Sequence, residues 1–273
     1  MELNEIQLTD RQKRELEYHV NHAKQHADLL NKPFSFDVIT SSRRRWWNAY
    51  WDMYTFFLNQ NLKDKKVMVV GCGFGDDALR LSKMGADVYA FDLSDPSLEI
   101  AQSLAERENL NVQYQQMTAE KLKYPDNFFD CVLARDILHH VDIPTTMQEI
   151  VRVSSNKALF VVNEVYSHSF TDKIRHSNLV EKYMYPLMQK FVYKGEKPYI
   201  TVDERKLTQI DISQITKPME TILIEKYFNF LVNRIFPDSY ELLNKIDRFM
   251  LIITKPISYL LGGRVFIAGR LKK

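Results

Sequence analysis

The stretch VMVVGCGFGDDALRL, Val67 to Leu81, places Gly71, Gly73 and Gly75 at alternate positions between an apolar run and a helix opened by Asp76 and Asp77. Glycines at such a strand-to-helix turn let the backbone approach a ligand closely. The spacing G-x-G-x-G is not the G-x-G-x-x-G of a dinucleotide loop, and no lysine stands where a phosphate loop requires one. A helix N-terminus attracts anions, yet two carboxylates there repel a pyrophosphate and are able to cap the helix themselves. The charges therefore favour a positively charged nucleoside over NAD or ATP. Asp92, 21 residues after Gly71, ends the next apolar run in DVYAFDLS, where an acid binds both hydroxyls of a ribose. His139 and His140 follow a later apolar run in FFDCVLARDILHH. Imidazoles that titrate near neutrality suit proton transfer and structural roles alike.

These residues need a scaffold, and the pattern from Lys66 onward supplies one. Strands are predicted at VMVV (67–70), DVYAF (87–91), VQYQQ (112–116), DCVLA (130–134) and ALFVV (158–162), with helices at 76–84, 95–107 and 144–153. Such alternation implies a parallel sheet covered on both faces. Ahead of it, Leu16, Val20, Ala23, Ala27 and Leu30 predict a helix over 9–30 with Thr9 or Asp10 as N-cap. SSRRRWWNAYWDMYTFFLNQ (41–60) predicts a second helix. His19, His22 and His26 lie along one flank of the first. With no companion Cys or carboxylate cluster, they read as the edge of an apolar stripe rather than a metal site. After Glu164 the regularity is lost, and 166–200 reads as a helical insertion rich in Tyr, Phe and Met. A helix at 203–213, a strand at 219–226, a helix at 238–260 interrupted near Pro256 and a strand at 264–269 complete the chain. The expected organisation is an N-terminal helical cap (1–60), a ligand-binding core (61–165), a lid insertion (166–200) and the C-terminal part of the same sheet domain (201–273).

On these motifs the chain resembles the class I S-adenosylmethionine-dependent methyltransferases of the small-molecule, type 11/25-like kind, strongly over residues 60–165. The resemblance implies an α/β, doubly wound Rossmann-like sheet of seven strands with the last antiparallel, closed by the cap and the lid. It implies that Gly71, Cys72, Gly73, Gly75 and Asp76 pass under the methionine part of the cofactor. Asp92 would hold the ribose, with Leu93 beside the adenine. TAEKLKY (118–124) stands for the family's D-A-E-x-L-P. Ala119 and Glu120 match, and Thr118 replaces the adenine-facing acid with a hydroxyl that still accepts a bond from the exocyclic amine. FFDCVLARDILHHVD (128–142) is similar to the family's F-D-x-V followed by a helix with L-H-H, which brings Ala134 and Arg135 to the cofactor. In related sugar and natural-product O-methyltransferases a histidine of this element is the general base; the role carries first to His140 and second to His139, beside a reading in which one caps and the other packs. ELEYH (15–19) resembles the family's closing N-terminal helix, which brings Tyr18 or His19 toward the site. TVDERKL (201–207) is similar to T-P-D-E-H-P-L, with Val202 in place of proline.

The implied activity is methyl transfer to a small-molecule acceptor, at an oxygen of a sugar, phenolic or lipid-like biosynthetic intermediate. Arg43, Arg44 and Arg45 before Trp46 and Trp47 form a solvated face over core aromatics, or else Arg45 and Trp47 meet an anionic group of the acceptor. Tyr183, Tyr185, Met188, Phe191 and Tyr193 wall an apolar acceptor pocket or form the lid's own core. The apolar C-terminal stretch suits a lipid-like or membrane-associated acceptor as well as a helix covering the sheet. The alternatives are a nucleic-acid or protein methyltransferase and a noncatalytic S-adenosylmethionine-binding protein. Against the first stand ARDI (134–137) in place of a D/N/S-P-P-Y/F motif, and a net charge of +2 from 37 basic and 35 acidic residues. Two cysteines, Cys72 and Cys131, in apolar runs read as buried thiols. The charged first 20 residues lack a signal-peptide core, and no apolar run reaches the roughly 20 residues that span a bilayer. The expected location is cytoplasmic.

Overall fold

The computed structural model describes residues 8–175, 177–178, 182–183, 205–228 and 241–273. β1 (Lys66–Val70), β2 (Asp87–Asp92), β3 (Val112–Gln116), β4 (Phe129–Arg135), β5 (Ser154–Val165), β6 (Met219–Phe228) and β7 (Arg264–Leu271) form one sheet in the order β3-β2-β1-β4-β5-β7-β6. The first five strands run parallel, and β7 lies antiparallel between β5 and β6. This is the expected doubly wound α/β sheet with an antiparallel last strand. Its order reverses between β1 and β4, the place where such sheets open a crevice at their carboxyl edge.

The helices in chain order are α1 (Asp10–Gln25), α2 (Asp37–Thr40), α3 (Ala49–Leu58), α4 (Asp76–Lys83), α5 (Asp95–Arg107), α6 (Ile143–Val153), α7 (Ser169–Arg175), α8 (Gln209–Thr216), α9 (Glu241–Ile253) and α10 (Ser258–Leu261). α6 and α8 cover one face, packing Met147, Ile150, Ile212 and Ile215 against Phe160, Val162 and Ile267. α3 and α4 cover the other, with Met53, Phe57, Ala78 and Leu81 against Val67, Val69, Phe266 and Ala268. Strands buried on both faces must be apolar at every position, which is why β1 and β4 read as unbroken hydrophobic runs. Each fully buried Phe in these layers contributes about 1.5–3 kcal/mol.

Several boundaries differ from the sequence reading, and three helices show why. α1 stops at Gln25 and tightens into a 3₁₀ turn over Ala27–Asn31. His26 Nδ1 lies 2.8 Å from His22 O, the carbonyl its own backbone N–H would use, while that N–H donates to Ala23 O. The helix expected over 41–60 begins at Ala49, because Asn48 accepts from Tyr50 N and Trp51 N as its N-cap. The helix expected at 203–213 is α8, started by a Thr208–Asp211 capping box. Of the lid, α7 and the exposed Tyr183 are described, whereas Tyr185, Met188, Phe191, Tyr193 and residues 201–204 lie outside the described residues.

Gly75, the N-cap of α4, has φ +83°, and a Cβ there would lie 2.6 Å from Tyr114 Oη and 2.9 Å from Ala101 Cβ. Gly75→Ala should therefore cost about 2–4 kcal/mol, from left-handed backbone strain plus overpacking. Gly73→Ala, at φ +52° with nothing within 4 Å of its Cβ position, should cost only the strain. Urea unfolding midpoints would check the difference, and equal midpoints for the two variants would contradict this packing.

Candidate active site

The glycine loop joins β1 to α4 with all three glycines at positive φ: Gly71 at +59°, Gly73 at +52° and Gly75 at +83°. Gly71 is required by packing, since a Cβ there would fall 2.5 Å from the Ile137 side chain. Gly73 differs, because its Cβ direction is open. A ligand is thus able to lie against the backbone at Gly73, where any side chain would intrude. The Asp92 carboxylate sits under this point, accepting from Gly73 N (2.8 Å) and from Ser94 N (2.9 Å). Gln116 Nε2 donates to Leu93 O at 3.0 Å and ties the ends of β2 and β3 together. Burial, with Asp92 nearby, pushes the Cys72 thiol well above its ordinary range, which keeps it a neutral thiol rather than a nucleophilic thiolate.

The two aspartates after the loop do not cap α4, whose start has no side-chain cap bond. Asp77 is buried, accepts from Tyr54 Oη at 2.6 Å and pairs with the Arg135 guanidinium. Asp76 faces Arg80 at 3.5 Å. The picture of bare carboxylates repelling anions is corrected accordingly: their charge is met by arginines, Arg80 one turn along α4 for Asp76 and Arg135, 58 residues on, for Asp77. Arg135 also pairs with Asp136 at 3.0 Å, and Asp136 with Arg264 at 2.5 Å. Arg264 reaches Asn163 Oδ1 at 2.9 Å, and Asn163 Nδ2 donates to Ala49 O at 2.9 Å, so the network ends at the start of α3. Burial opposes the charge on Asp136, but Arg264 and Arg135 outweigh it and hold its carboxyl below the usual range. Burial likewise opposes the Arg135 charge, and Asp77 and Asp136 overcome it. A cavity of about 370 Å³ opens here, lined by Tyr50, Asp76, Arg80, Arg135, Asp136 and Arg264 among others. It presents fixed charges of both signs.

The turn after β4 carries the histidines. Glu164, at the end of β5 and 0% exposed, accepts from Ile137 N and Leu138 N, both at 2.6 Å, and lies 2.7 Å from His139 Nδ1. His139 is thereby buried and oriented. His140 packs on it, ring centroids 4.0 Å apart, and faces α1. Its Nδ1 is 3.2 Å from Glu15 Oε2, and its ring lies 6.0 Å from that of His19. α1 thus crosses the site on its polar side. Arg11 Nη2 donates to His139 O at 2.8 Å, Gln12 Nε2 to Glu120 Oε2 at 3.0 Å, and His22 stacks on Phe74 of the glycine loop at 5.3 Å.

Among the remaining residues picked from sequence, Thr118 and Glu120 stand half-buried at the end of β3, and Ala119 is buried. Glu120 also accepts from Asp142 N at 3.2 Å, which fastens α1 to the start of α6. Ala134 is fully buried, so only its backbone is available to a ligand. Tyr18 stands beside His19 and His22 on α1. Arg45 lies over the Trp51 ring at 4.7 Å, and Trp47 is buried under the Arg248 guanidinium at 3.5 Å. The neighbours Asn48, Ala49 and Tyr50 line the cavity in their place. Tyr183 is 67% exposed. Among the described residues no group of three or more His, Cys, Asp or Glu is placed to hold a metal ion. The residues missed from sequence include Arg80, Asp136 and Arg264 of the cavity wall and, beyond it, Glu15, Asn163 and Glu164. An Asn-Glu pair closing the apolar run ALFVVNEV was a readable signal for two of them; the others had none.

The histidines of α1 give the site a pH dependence. Burial lowers the His19 pKa and His140 adds to this, against Asp92 and Glu15, which raise it. His22 is lowered by burial and then by His26 and His19. The folded state therefore binds these protons less tightly than the unfolded chain. Their contribution is fully present above the unfolded value of about 6.5 and declines as pH falls below it. Amide protection factors in α1, taken relative to the intrinsic exchange rate at each pH, should fall selectively between about pH 7 and pH 5, and His19→Asn should flatten that slope. An unchanged slope in the variant would remove His19 as a source.

Residues 68–162 match the family model described as a methyltransferase domain. Over 106 residues the chain is 31% identical to YcgJ, an uncharacterized methyltransferase of Bacillus subtilis, covering 38% of this chain and 42% of that protein. Over 86 residues it is 37% identical to the ubiquinone biosynthesis O-methyltransferase of Coxiella burnetii, covering 32% of this chain and 37% of that protein. The matched segments thus span less than half the length of these curated relatives. Among solved structures, the 4+2 cyclase SpnF aligns with a TM-score of 0.59 over 97% of this chain and 96% of its own, at 18% identity. Geranyl diphosphate C-methyltransferase from Streptomyces coelicolor A3(2) aligns with 0.58 over 96% and 98%, at 13% identity. These two share the fold. The family match runs from β1 into β5 and takes in the glycine loop, Asp92 and the histidine turn, and the chain carries a class I S-adenosylmethionine-dependent methyltransferase domain.

Proposed function

We propose that the protein transfers the methyl group of S-adenosylmethionine to an oxygen of a small-molecule acceptor, a sugar, phenolic or lipid-like biosynthetic intermediate. The observation that carries this reading is a pair of histidines in the turn after β4, each beside a carboxylate, in a turn whose Ile137 packs on Gly71 of a glycine loop with one open glycine. The site fits the cofactor on its own chemistry. Gly73 leaves backbone free for close approach. Asp92 uses two lone pairs on Gly73 and Ser94 and keeps others for ribose hydroxyls. Leu93 and Thr118 flank the adenine side. The mixed-charge cavity suits an amino-acid end, with Arg80 and Arg135 toward its carboxylate and Asp76 and Asp136 toward its ammonium.

When bound, the cofactor supplies an electrophilic methyl group on a sulfonium. The chain holds the reactants in line, excludes water beneath α1, and takes the acceptor's proton. His140 is the proposed base. His139, fixed by Glu164, supports its ring from behind. The name of the Coxiella burnetii relative favours oxygen as the methylated atom, and the near-balanced charge favours a small acceptor over a nucleic acid. Cys72 and Cys131 are unpaired thiols, which suits the cytoplasm.

Calorimetry should detect S-adenosylmethionine and S-adenosylhomocysteine but not NAD or ATP. Asp92→Ala should weaken that binding by about 1.5–3 kcal/mol, roughly 10–150-fold, as expected for a charged hydrogen-bond partner. Equal affinity in the variant would take Asp92 out of the site. In a labelled-methyl screen over sugar, phenolic and lipid acceptors, His140→Ala should slow transfer by about 10²–10⁴-fold with cofactor affinity retained. Turnover near wild type would reject His140 as the base.

A further inference from the structure

We infer that Glu15 of α1 is the positioning carboxylate of His140, so that the N-terminal helix carries half of a proton-transfer pair whose other half belongs to the sheet. The inference rests on the reading of His140 as base and deepens it.

A carboxylate on a helix face is rarely buried unless a partner calls for it. Glu15 is 5% exposed. Its Oε2 lies 3.2 Å from His140 Nδ1 and 3.7 Å from His19 Nε2. The two atoms are within ion-pair distance without forming a hydrogen bond, so the contact is one of charge. Other charged groups around this imidazole have their own engagements. Arg11 of α1 donates to His139 O. Glu164 of β5 is taken up by His139 and two backbone amides. Glu120, after β3, holds Gln12 and Asp142 N. Asp142 caps α6 through Thr145 N, and Asp92 of β2 acts on His19. Glu15 is the carboxylate placed at His140 Nδ1.

Two consequences follow from that placement. A negative charge beside Nδ1 favours the neutral tautomer that carries its proton there, which leaves the Nε2 lone pair available as base. When the proton of an acceptor hydroxyl moves to Nε2, the same carboxylate stabilises the imidazolium that results. His139 and Glu164 use this device within the sheet, at 2.7 Å. The difference lies in ownership: Glu164 is part of β5, whereas Glu15 comes with α1. Seating α1 over the glycine loop and completing the His140 pair are therefore one event.

The test needs no acceptor. The full chain, saturated with S-adenosylhomocysteine, is examined by long-range proton–nitrogen spectroscopy of its imidazoles, above the pH at which they protonate. His140 is assigned by the signal lost in His140→Ala. In the wild type it should appear as the Nδ1–H tautomer. Glu15→Ala should return it mainly to the Nε2–H form of free imidazole. Glu15→Gln, which keeps the shape and removes the charge, should lie between. His139 should keep its tautomer throughout, because Glu164 is untouched. An unchanged His140 tautomer in either folded variant, with S-adenosylhomocysteine still bound, would overturn the inference. Should Glu15→Ala fail to fold, Glu15→Gln decides alone. Because this readout is independent of turnover, it holds or fails separately from the labelled-methyl result for His140→Ala.

Discussion

The site is organised around one buried carboxylate. Glu164 has no exposure, and stripping a carboxylate of water costs several kcal/mol unless donors replace the lost hydration. Ile137 N, Leu138 N and His139 Nδ1 are those donors, and they come from three consecutive residues. The chain after β4 must therefore curl around the carboxylate, and Asp136, just ahead of the curl, takes a left-handed φ of +54°. The curl sets Ile137 against Gly71, so the glycine loop and the histidine turn interlock. It also orients His139, and through ring packing His140. Even the seat of α1 depends on it, since Arg11 docks on the His139 carbonyl.

The second organising feature is an alternation of charge: Asp77, Arg135, Asp136, Arg264. Arginine suits such positions because its planar fork reaches two acceptors at once, as Arg135 does with Asp77 and Asp136. Deep ion pairs are weak evidence for stability, because desolvation offsets attraction. Their value here is geometric. They fix charges of both signs around the 370 Å³ cavity before any ligand arrives, and fixed dipoles need no reorganisation when a charged group enters.

The parallel sheet was legible because its central strands are buried on both faces and leave continuous apolar runs. VQYQQ and the helix at 95–107 were placed to the residue. The loop glycines and Asp92 were legible because backbone freedom and a carboxylate at a strand end are local signals. Pairings were not legible. Asp77 read as a bare charge because Arg135 is 58 residues away and only the fold brings them together. Trp47 and Arg45 read either as core aromatic and solvated face or as acceptor contacts; one is buried under Arg248 and the other lies on Trp51, while their neighbours at 48–50 reach the cavity. The sequence points to the segment; packing selects the residue.

α1 misled for a more instructive reason. Its apolar stripe of Leu16, Val20 and Ala23 marked one flank, while the side toward the site carries Arg11, Glu15, His19, His22 and His26, of which only His19 was expected there, from the resemblance. Positions 11, 15, 19, 22 and 26 share one flank of a helix turning 3.6 residues at a time. A helix that covers a polar site must present a polar face to it, so amphipathicity read from hydrophobicity alone assigns the wrong side. The energetics follow from the same fact. α1 contributes one small buried apolar residue, Ala23, to the cluster with Leu79, Ile100, Leu104 and Ala105. An alanine buries too little apolar surface to hold a helix of 16 residues by itself. Its docking rests mainly on hydrogen bonds, ring stacking and charge, each worth about 1 kcal/mol or less in net terms. Segments held this way belong to the low-stability end of a fold, where opening is inexpensive and ligand contacts are able to shift the balance. Under the proposed function, a cover that admits a cofactor and an acceptor and then excludes water is better built from such contacts than from a hydrophobic seam.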